Sequence, residues 1–184
     1  LYIGSAAMPD RHGNISLSCS NTYEMQMIRE ADRVVLEINP NYPRTFGDGL
    51  LRIDEVDYLI EADYPVPTLP NTAPNNKDRA IGGLIASYIH DGDCLQLGIG
   101  GMPNALAEQL MAKKDLGIHT EMFTTNMMKL YQAGAVSGRR KQLQNGKMVC
   151  SFILGSRELY DFCHDNPAVE VLSVDYTNDP CVIG

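Results

Sequence analysis

The sequence predicts an α/β protein with an open, mostly parallel sheet flanked by helices. In the second half of the chain, short apolar runs rich in β-branched residues alternate with stretches of helical period. Gly and Pro clusters separate these runs, and a Gly-rich turn joins one predicted strand directly to a helix. Regular alternation of strand and helix favours a parallel sheet, because parallel strands are joined by long crossovers that are usually helical.

Residues 1–64 are predicted to be the C-terminal part of a first α/β domain. The chain begins as a strand, and a helix is expected at residues 21–31. A β-branched run predicts a strand at residues 33–38, and another short strand is expected at residues 56–61. The N-terminus has no starting Met, basic region or cleavage site, so we expect the chain to be cut from something longer.

A stretch at residues 65–74 is predicted to be a linker, because it holds four prolines among Asn and Thr residues. It leads to residues 75–184, which are predicted to start a second α/β domain. Helices are expected there at about 77–90, 103–113, 126–133 and 156–164, and strands at 94–97, 117–122, 147–153 and 170–174.

Charge and hydropathy exclude two classes of partner. The chain has 23 acidic and 15 basic residues, a formal net charge of −8, whereas a nucleic-acid-binding surface needs a basic face. No apolar run approaches the roughly eighteen residues of a membrane span. We therefore expect neither nucleic acid nor a membrane as a partner.

Cysteine and histidine usage indicates a reduced, cytoplasmic setting without a metal site. The five cysteines are odd in number and none forms a Cys-x-x-Cys pair, which fits the cytosol, where disulfides are rare. The four histidines are scattered and show no metal-ligand spacing.

Two features are expected at the carboxyl edge of the sheet, where ligands bind in open α/β folds. The turn Gly98-Ile99-Gly100-Gly101 lies between a predicted strand and helix, and its glycines let a ligand approach free backbone N–H groups. Glu121 ends the next predicted strand, and a carboxylate beside such amides can act as a nucleophile facing an oxyanion hole. A tight packing turn and a solvated surface carboxylate would give the same pattern.

A dinucleotide site of an oxidoreductase is a second interpretation. Gly98, Gly100 and the acidic Glu121, about twenty positions later, imitate the dinucleotide-binding fingerprint. Pro103 stands where the third Gly of that fingerprint should allow close packing of helix on strand. The fingerprint fails at this point, which disfavours the interpretation.

Several separated motifs resemble the acetyl-CoA hydrolase/transferase family, a group that includes CoA-transferases for 4-hydroxybutyrate and butyrate. The strongest are QLGIGGMPNA at residues 96–105 and LGIHTEM at residues 116–122. Flanking motifs agree in order and spacing, namely DRHG at 10–13, NPNYP at 39–43, GSRELYDF at 155–162 and DYTNDP at 175–180. The resemblance therefore spans nearly the whole chain.

The resemblance implies a ping-pong CoA-transferase. Glu121 matches the family's nucleophile, which forms an acyl-glutamyl anhydride and then a glutamyl-CoA thioester. Gln96 matches a residue expected to position that glutamate or the substrate carbonyl, and Asn178 matches an Asn near the active site. Backbone N–H groups from Gly98 to Gly100, including that of Ile99, should face the developing oxyanion or CoA.

Partners and cofactors follow from the same resemblance. CoA is expected as a substrate rather than a permanently bound cofactor. The expected partners are a short-chain acyl-CoA and a carboxylic acid such as acetate, and the full-length protein is expected to be a homo-oligomer.

The sequence also departs from the family. It reads FTTN at residues 123–126, where many members have an Asp-Gly-like pair, so we expect an unusual acyl pocket. The family continues well beyond the length of this chain, with another Gly-rich loop for CoA. Two interpretations stay open beside the transferase: an acyl-CoA hydrolase of the same family, in which water replaces the acceptor acid, and a non-catalytic binding module.

Overall fold

The computed structural model describes residues 1–183 of the chain. The strands are β1 (Tyr2–Ala6), β2 (Asn14–Ser16), β3 (Val34–Ile38), β4 (Phe46–Gly47), β5 (Leu50–Arg52), β6 (Tyr58–Glu61), β7 (Cys94–Leu95), β8 (Gly117–Ile118), β9 (Met122–Phe123), β10 (Met148–Cys150), β11 (Phe152–Ile153) and β12 (Val169–Val171). The helices are α1 (Glu24–Glu30), α2 (Asn76–Ala86), α3 (Gly101–Leu110), α4 (Thr125–Gln132), α5 (Arg157–Cys163), α6 (Val174–Thr177) and α7 (Pro180–Ile183), with a 3₁₀ turn at Ile53–Glu55.

The N-terminal part contains a parallel sheet in the order β1-β3-β6. In β3, Val34, Leu36 and Ile38 are buried and the residues between them are less so. This period of two is what a strand shows when one face of its sheet is covered. Ile28 of α1 packs into the same small core, and the antiparallel pair β2–β5 adds Ile15 to it.

The second sheet is parallel but broken into short strands. Four parallel pairings build it: β7 with β8, β9 with β11, β10 with β12, and β12 with β4. A parallel bridge between His119 and Val149 joins the β8 side to the β10 side. Helices α3, α4 and α5 bury Leu106, Met127 and Leu159 in one core with these strands. The predicted fold class, a mostly parallel α/β sheet flanked by helices, is confirmed.

Contacts cross the predicted boundary between the two parts. Strand β4, from the N-terminal part, forms an edge of the second sheet beside β12. In the predicted linker, Val66 is buried in the second core, and the carbonyl of Pro67 accepts a 2.6 Å hydrogen bond from the Tyr160 hydroxyl. The division at residues 65–74 stays a prediction.

The two strands predicted at residues 117–122 and 147–153 are each interrupted in the structure. In the first, β8 ends at Ile118 and β9 begins at Met122; in the second, β10 ends at Cys150 and β11 begins at Phe152. Opposite the first gap, the N–H groups of Ser151 and Phe152 both donate to the carbonyl of Glu121. Two residues facing one is the pattern of a bulge, which bends a sheet and re-aims side chains.

Candidate active site

Glu121 lies just beyond the carboxyl end of β8, in the gap before β9. Its side chain is half-buried. Its Oε2 accepts a hydrogen bond of 2.9 Å from Nδ2 of Asn178. Because a carboxylate only accepts, the amide nitrogen of Asn178 must be the atom that faces it. Among the hydrogen bonds of residues 1–183, none involves Oε1 of Glu121.

Asn178 is held against Glu121 by helix α6. Its backbone N–H donates to the carbonyl of Val174 at 2.9 Å, which ends the helix. The preceding Thr177 is tied to the sheet twice. Its carbonyl accepts from Nε2 of His119 at 2.9 Å, and its hydroxyl is hydrogen-bonded to that of Ser151. Two site residues 57 positions apart in sequence are thereby brought into contact.

His119 is neutral by preference in this setting. Burial lowers its pKa, and the buried cation of Lys141 lowers it further, while the bond to the Thr177 carbonyl acts in the opposite direction. Lys141 is only 9% exposed, and its ammonium donates to the carbonyls of Ile118 and Lys147. A carbonyl acceptor requires a hydrogen on Nε2 of His119 in either protonation state.

The Gly-rich turn follows β7, the strand next to β8. The parallel register pairs Cys94 with Gly117 and Leu95 with Ile118, an offset of 23 residues. Gly98 follows the paired Leu95 by three residues, and Glu121 follows its partner Ile118 by three residues. The strands that precede the turn and Glu121 are therefore neighbours in the sheet.

Gly100 is required by the backbone of this turn. Its φ is 110°, a region that is essentially open to glycine alone. A Cβ added at Gly98 would come no closer than 3.8 Å to a neighbouring residue, and one added at Gly100 would have nothing within 4 Å. Lack of space is therefore not the reason for glycine at these positions. Helix α3 starts at the next residue and has no side-chain cap, which leaves its first N–H groups without side-chain partners.

Two cavities flank this edge. Gly98, Ile99 and Gly100 line one of about 350 Å³. Gln96 and His119 line another of about 760 Å³. Glu121 lines neither cavity. In the sequence it lies between His119, which lines the larger cavity, and Thr124, which lines the smaller one. The structure thus brings Glu121 into contact with Asn178, and it places the three turn residues in one cavity and the exposed Gln96 in the other.

The chain is similar to known proteins of one family. Residues 2–70 match the model of the acetyl-CoA hydrolase/transferase N-terminal domain. Over 182 residues the chain is 44% identical to a succinyl-CoA:cyclohexane-1-carboxylate CoA transferase of Geobacter metallireducens, covering 98% of this chain and 42% of that protein. This chain belongs to the acetyl-CoA hydrolase/transferase family.

Other members of the acetyl-CoA hydrolase/transferase family are similar to this chain in sequence and in structure. The 4-hydroxybutyrate coenzyme A transferase of Clostridium kluyveri is 43% identical over 175 residues, which are 95% of this chain and 41% of that one. The crystal structure of a 4-hydroxybutyrate CoA-transferase from Porphyromonas gingivalis superposes with a TM-score of 0.95 at 41% identity, covering 99% of this chain and 46% of that one. The chain thus spans about two fifths of the length of the curated relatives it matches.

Sequence reasoning did not assign roles to several residues that the structure places at this edge. His119 was known only as part of the LGIHTEM motif, and the structure shows it holding α6. Asn71, Asn104 and Asn126 line the cavity of the Gly-rich turn. Two of them lie within or beside the quoted motifs, but only their hydrogen bonds reveal that they meet.

Residues 1–183 contain neither a membrane-spanning helix nor a cluster of metal ligands. None of the helices described there is long and apolar enough to cross a membrane. The same residues contain no group of three His, Cys, Asp or Glu side chains that could hold a metal ion.

Proposed function

We propose that these residues are part of a CoA-transferase that moves CoA between a short-chain acyl-CoA and a carboxylate such as acetate. The observation that carries the proposal is the Asn178–Glu121 hydrogen bond at the carboxyl end of a parallel strand. It fixes one oxygen of a half-buried carboxylate and leaves the other open. That is the arrangement a carboxylate nucleophile needs.

The proposed reaction has two half-reactions. Oε1 of Glu121 attacks the thioester carbonyl, the C–S bond breaks, and CoA leaves as thiolate from an acyl-glutamyl anhydride. The thiolate then attacks the glutamyl carbonyl, which releases the first carboxylate and leaves a glutamyl-CoA thioester. The acceptor carboxylate attacks this thioester, the C–S bond breaks, and CoA leaves again as thiolate from a new acyl-glutamyl anhydride. The returning thiolate takes the new acyl group and restores the Glu121 carboxylate.

The surrounding groups have distinct proposed roles. Asn178 orients the carboxylate through Oε2, so that Oε1 carries the attack. The backbone N–H groups of Gly98, Ile99 and Gly100 stabilise the oxyanion of the tetrahedral intermediates or bind CoA, because N–H donors fixed in advance act most strongly where charge develops. Gln96 positions the substrate carbonyl from the neighbouring cavity.

The names of the relatives support the substrate class. They are a CoA transferase for cyclohexane-1-carboxylate, one for 4-hydroxybutyrate and, at 37% identity, a butyryl-CoA:acetate CoA-transferase of Anaerostipes caccae. Exchange between two acids of similar strength is nearly isoenergetic, so we propose that CoA is a substrate and that no resident cofactor is required. We further propose a role in short-chain acid metabolism, a cytoplasmic location and a homo-oligomeric full-length protein.

A product count tests the proposal. The full-length protein is incubated with butyryl-CoA and acetate, and acetyl-CoA and free CoA are measured. We expect acetyl-CoA to accumulate in step with loss of butyryl-CoA. Free CoA appearing at the same rate with and without acetate would identify a hydrolase instead, because water would then be the acceptor.

A further inference from the structure

The Gly-rich turn and the start of α3 present a row of consecutive backbone N–H groups. Within residues 1–183, no hydrogen bond uses the N–H groups of residues 98–102. Pro103 has no N–H, and the N–H of Asn104 donates to the carbonyl of Gly100 at 3.2 Å. Free N–H groups at a helix N-terminus attract anions, because they carry the positive end of the helix dipole. Taken alone, this row would therefore attract a phosphate group.

The carboxylate of Asp78 lies against the α3 end of this row. A Cβ added at Gly101, the first residue of α3, would lie 2.9 Å from Cγ of Asp78 and closer still to its Oδ2. The φ of Gly101 is not positive, so this contact, and not the freedom of the backbone, is what requires glycine. Asp78 thus brings a negative charge to the N-terminus of α3.

Capping of α2 accounts for only part of this arrangement. Oδ2 of Asp78 accepts from the backbone N–H of Asn75 at 2.9 Å, which completes a capping box at the start of α2. Within the described residues, Oδ1 accepts no hydrogen bond. A neutral Gln can fill the same place in a capping box, so the cap of α2 does not need the negative charge.

The row of N–H groups has two differently placed ends. Gly98, Ile99 and Gly100 line the cavity of about 350 Å³, whereas Gly101 and Asp78 are not among its lining residues. A ligand in the cavity therefore meets one end of the row, while the carboxylate of Asp78 meets the other. The charge of Asp78 acts on such a ligand without filling the space that the ligand occupies.

We propose that Asp78 is a specificity-determining residue that keeps phosphate groups away from the Gly-rich turn. The inference rests on the proposed function, in which the turn receives the thioester carbonyl of an acyl-CoA. CoA itself carries phosphates, which would compete for the same N–H groups. Repulsion by a fixed carboxylate grows with the charge of the ligand. It therefore disfavours a phosphate and leaves a neutral carbonyl unaffected, and a repulsive group of this kind is one way to build specificity.

The same contact bears on the dinucleotide interpretation. In dinucleotide-binding folds the diphosphate lies at the N-terminus of the helix that follows the Gly-rich turn. Here Asp78 brings a carboxylate, which is a like charge, to that helix end. Repulsion by Asp78 therefore disfavours a dinucleotide independently of the glycine that Pro103 replaces.

The test uses inorganic pyrophosphate as the probe and the full-length protein. Calorimetry should show pyrophosphate binding at least about tenfold more tightly to Asp78→Asn than to the unaltered protein, since one nearby negative charge is removed. Asp78→Asn keeps an oxygen for the N–H of Asn75. Asp78→Glu keeps the charge and should bind no more tightly than the unaltered protein. The control Asp32→Asn, at an exposed position of the N-terminal part, makes the same change of net charge and should have no effect.

Inhibition kinetics give a second readout, because pyrophosphate should compete with butyryl-CoA in Asp78→Asn at concentrations that leave the unaltered protein active. Thermal unfolding checks that each variant is folded. If Asp78→Asn does not fold, Asp78→Gln replaces it, because Gln also completes a capping box.

The outcomes separate this inference from the proposed function. Equal affinity for pyrophosphate in the neutral variant and the unaltered protein would overturn the role of Asp78. So would the same gain in Asp78→Glu, which would indicate altered packing, or in Asp32→Asn, which would indicate net charge. If the unaltered protein transfers no CoA but the neutral variant gains affinity, Asp78 keeps its role and the proposed function fails. Transfer without that gain leaves the transferase standing and removes the role of Asp78.

Discussion

The two oxygens of Glu121 have different surroundings, and this difference gives the residue its proposed role. Oε2 is hydrogen-bonded to Asn178, while Oε1 has no such bond within the described part of the chain. A side chain held at one oxygen loses less rotational freedom when the other reacts, and positioning of this kind accounts for much of the advantage of an enzyme-bound nucleophile.

Replacing the nucleophile tests this assignment directly. We expect Glu121→Gln to abolish transfer and to spare CoA binding, because it removes the nucleophilic charge with little change of shape. In the unaltered full-length protein, acyl-CoA without an acceptor acid should leave CoA on Glu121, and borohydride should reduce that thioester to an alcohol. Peptide mapping locates the change of mass. A Glu121→Gln protein with near-normal turnover, once deamidation is excluded, would show that another residue reacts.

Loss of the Asn178 amide should slow the reaction without preventing it. A hydrogen bond to a charged group contributes about 1.5–3 kcal/mol, so Asn178→Ala should lower kcat roughly ten- to hundredfold. Asn178→Asp should be more damaging, since it places a second carboxylate beside Glu121. Steady-state kinetics with butyryl-CoA and acetate measure both. Equal kcat in Asn178→Ala and the unaltered protein would remove Asn178 from the site.

Helix α6 shows what the sequence could not predict at the scale of elements. With four residues, Val174–Thr177, it is too short for a hydrophobic period to appear. Its place depends on bonds from His119, which follows β8, and from Ser151, which lies between β10 and β11. The resemblance nevertheless placed Asn178 at the site, because it relied on order and spacing of motifs rather than on local structure.

Helix α2 shows a different limit of periodicity. Helical spacing groups five apolar residues on one side of the helix predicted at residues 77–90, namely Ile81, Leu84, Ile85, Tyr88 and Ile89. Ile85 and Ile89 pack against the second core, whereas Ile81, Leu84 and Tyr88 are 48%, 64% and 74% exposed, and α2 ends at Ala86. The helix also approaches α3 through Gly82, where an added Cβ would lie 2.8 Å from the backbone nitrogen of Leu106. A glycine contact carries no apolar side chain, so a hydrophobic pattern cannot indicate it.

The hydrogen bond between His119 and the Thr177 carbonyl of α6 should make the stability of the protein depend on pH. Burial lowers the pKa of His119, so the folded state resists a proton that the unfolded state accepts near pH 6.5. The stability that depends on neutral His119 is present above that pH and is lost as pH falls below it. We expect His119→Gln, which keeps a donor for the Thr177 carbonyl, to melt with a weaker dependence on pH between 7.5 and 5.

Kinetics show whether His119 also positions Asn178. His119→Phe removes the donor and should lower kcat with little effect on KM, whereas His119→Gln should recover most of the loss. Combined with Asn178→Ala, His119→Phe should cost nothing further, because both act through the same contact. Additive losses would mean that His119 does not act through Asn178, and an equal pH dependence of melting in His119→Gln would exclude the stability effect.

At the scale of the whole molecule, composition and contacts give different descriptions of residues 65–74. Four prolines among polar residues predict a linker, because proline ends helices and strands and limits hydrogen bonding. The same segment buries Val66 in the second core, accepts a hydrogen bond at Pro67 and places Asn71 in the cavity wall. A proline-rich segment can pack against a core in this way because each proline lacks a backbone N–H that would need a partner. Amino-acid composition therefore does not show which parts of the protein such a segment contacts.

If this segment is part of the core, shortening Val66 must destabilise the protein. Val66→Ala removes two methyl groups from a buried site, and each buried carbon is worth about 0.8 kcal/mol before any cavity cost, so we expect a loss of about 2 kcal/mol. Thr68→Ala, at an exposed position two residues later, should change stability by less than about 0.5 kcal/mol. Urea unfolding followed by circular dichroism measures both. Equal midpoints for the two variants would mean that the segment is a linker in solution and that Val66 contributes nothing to the second core.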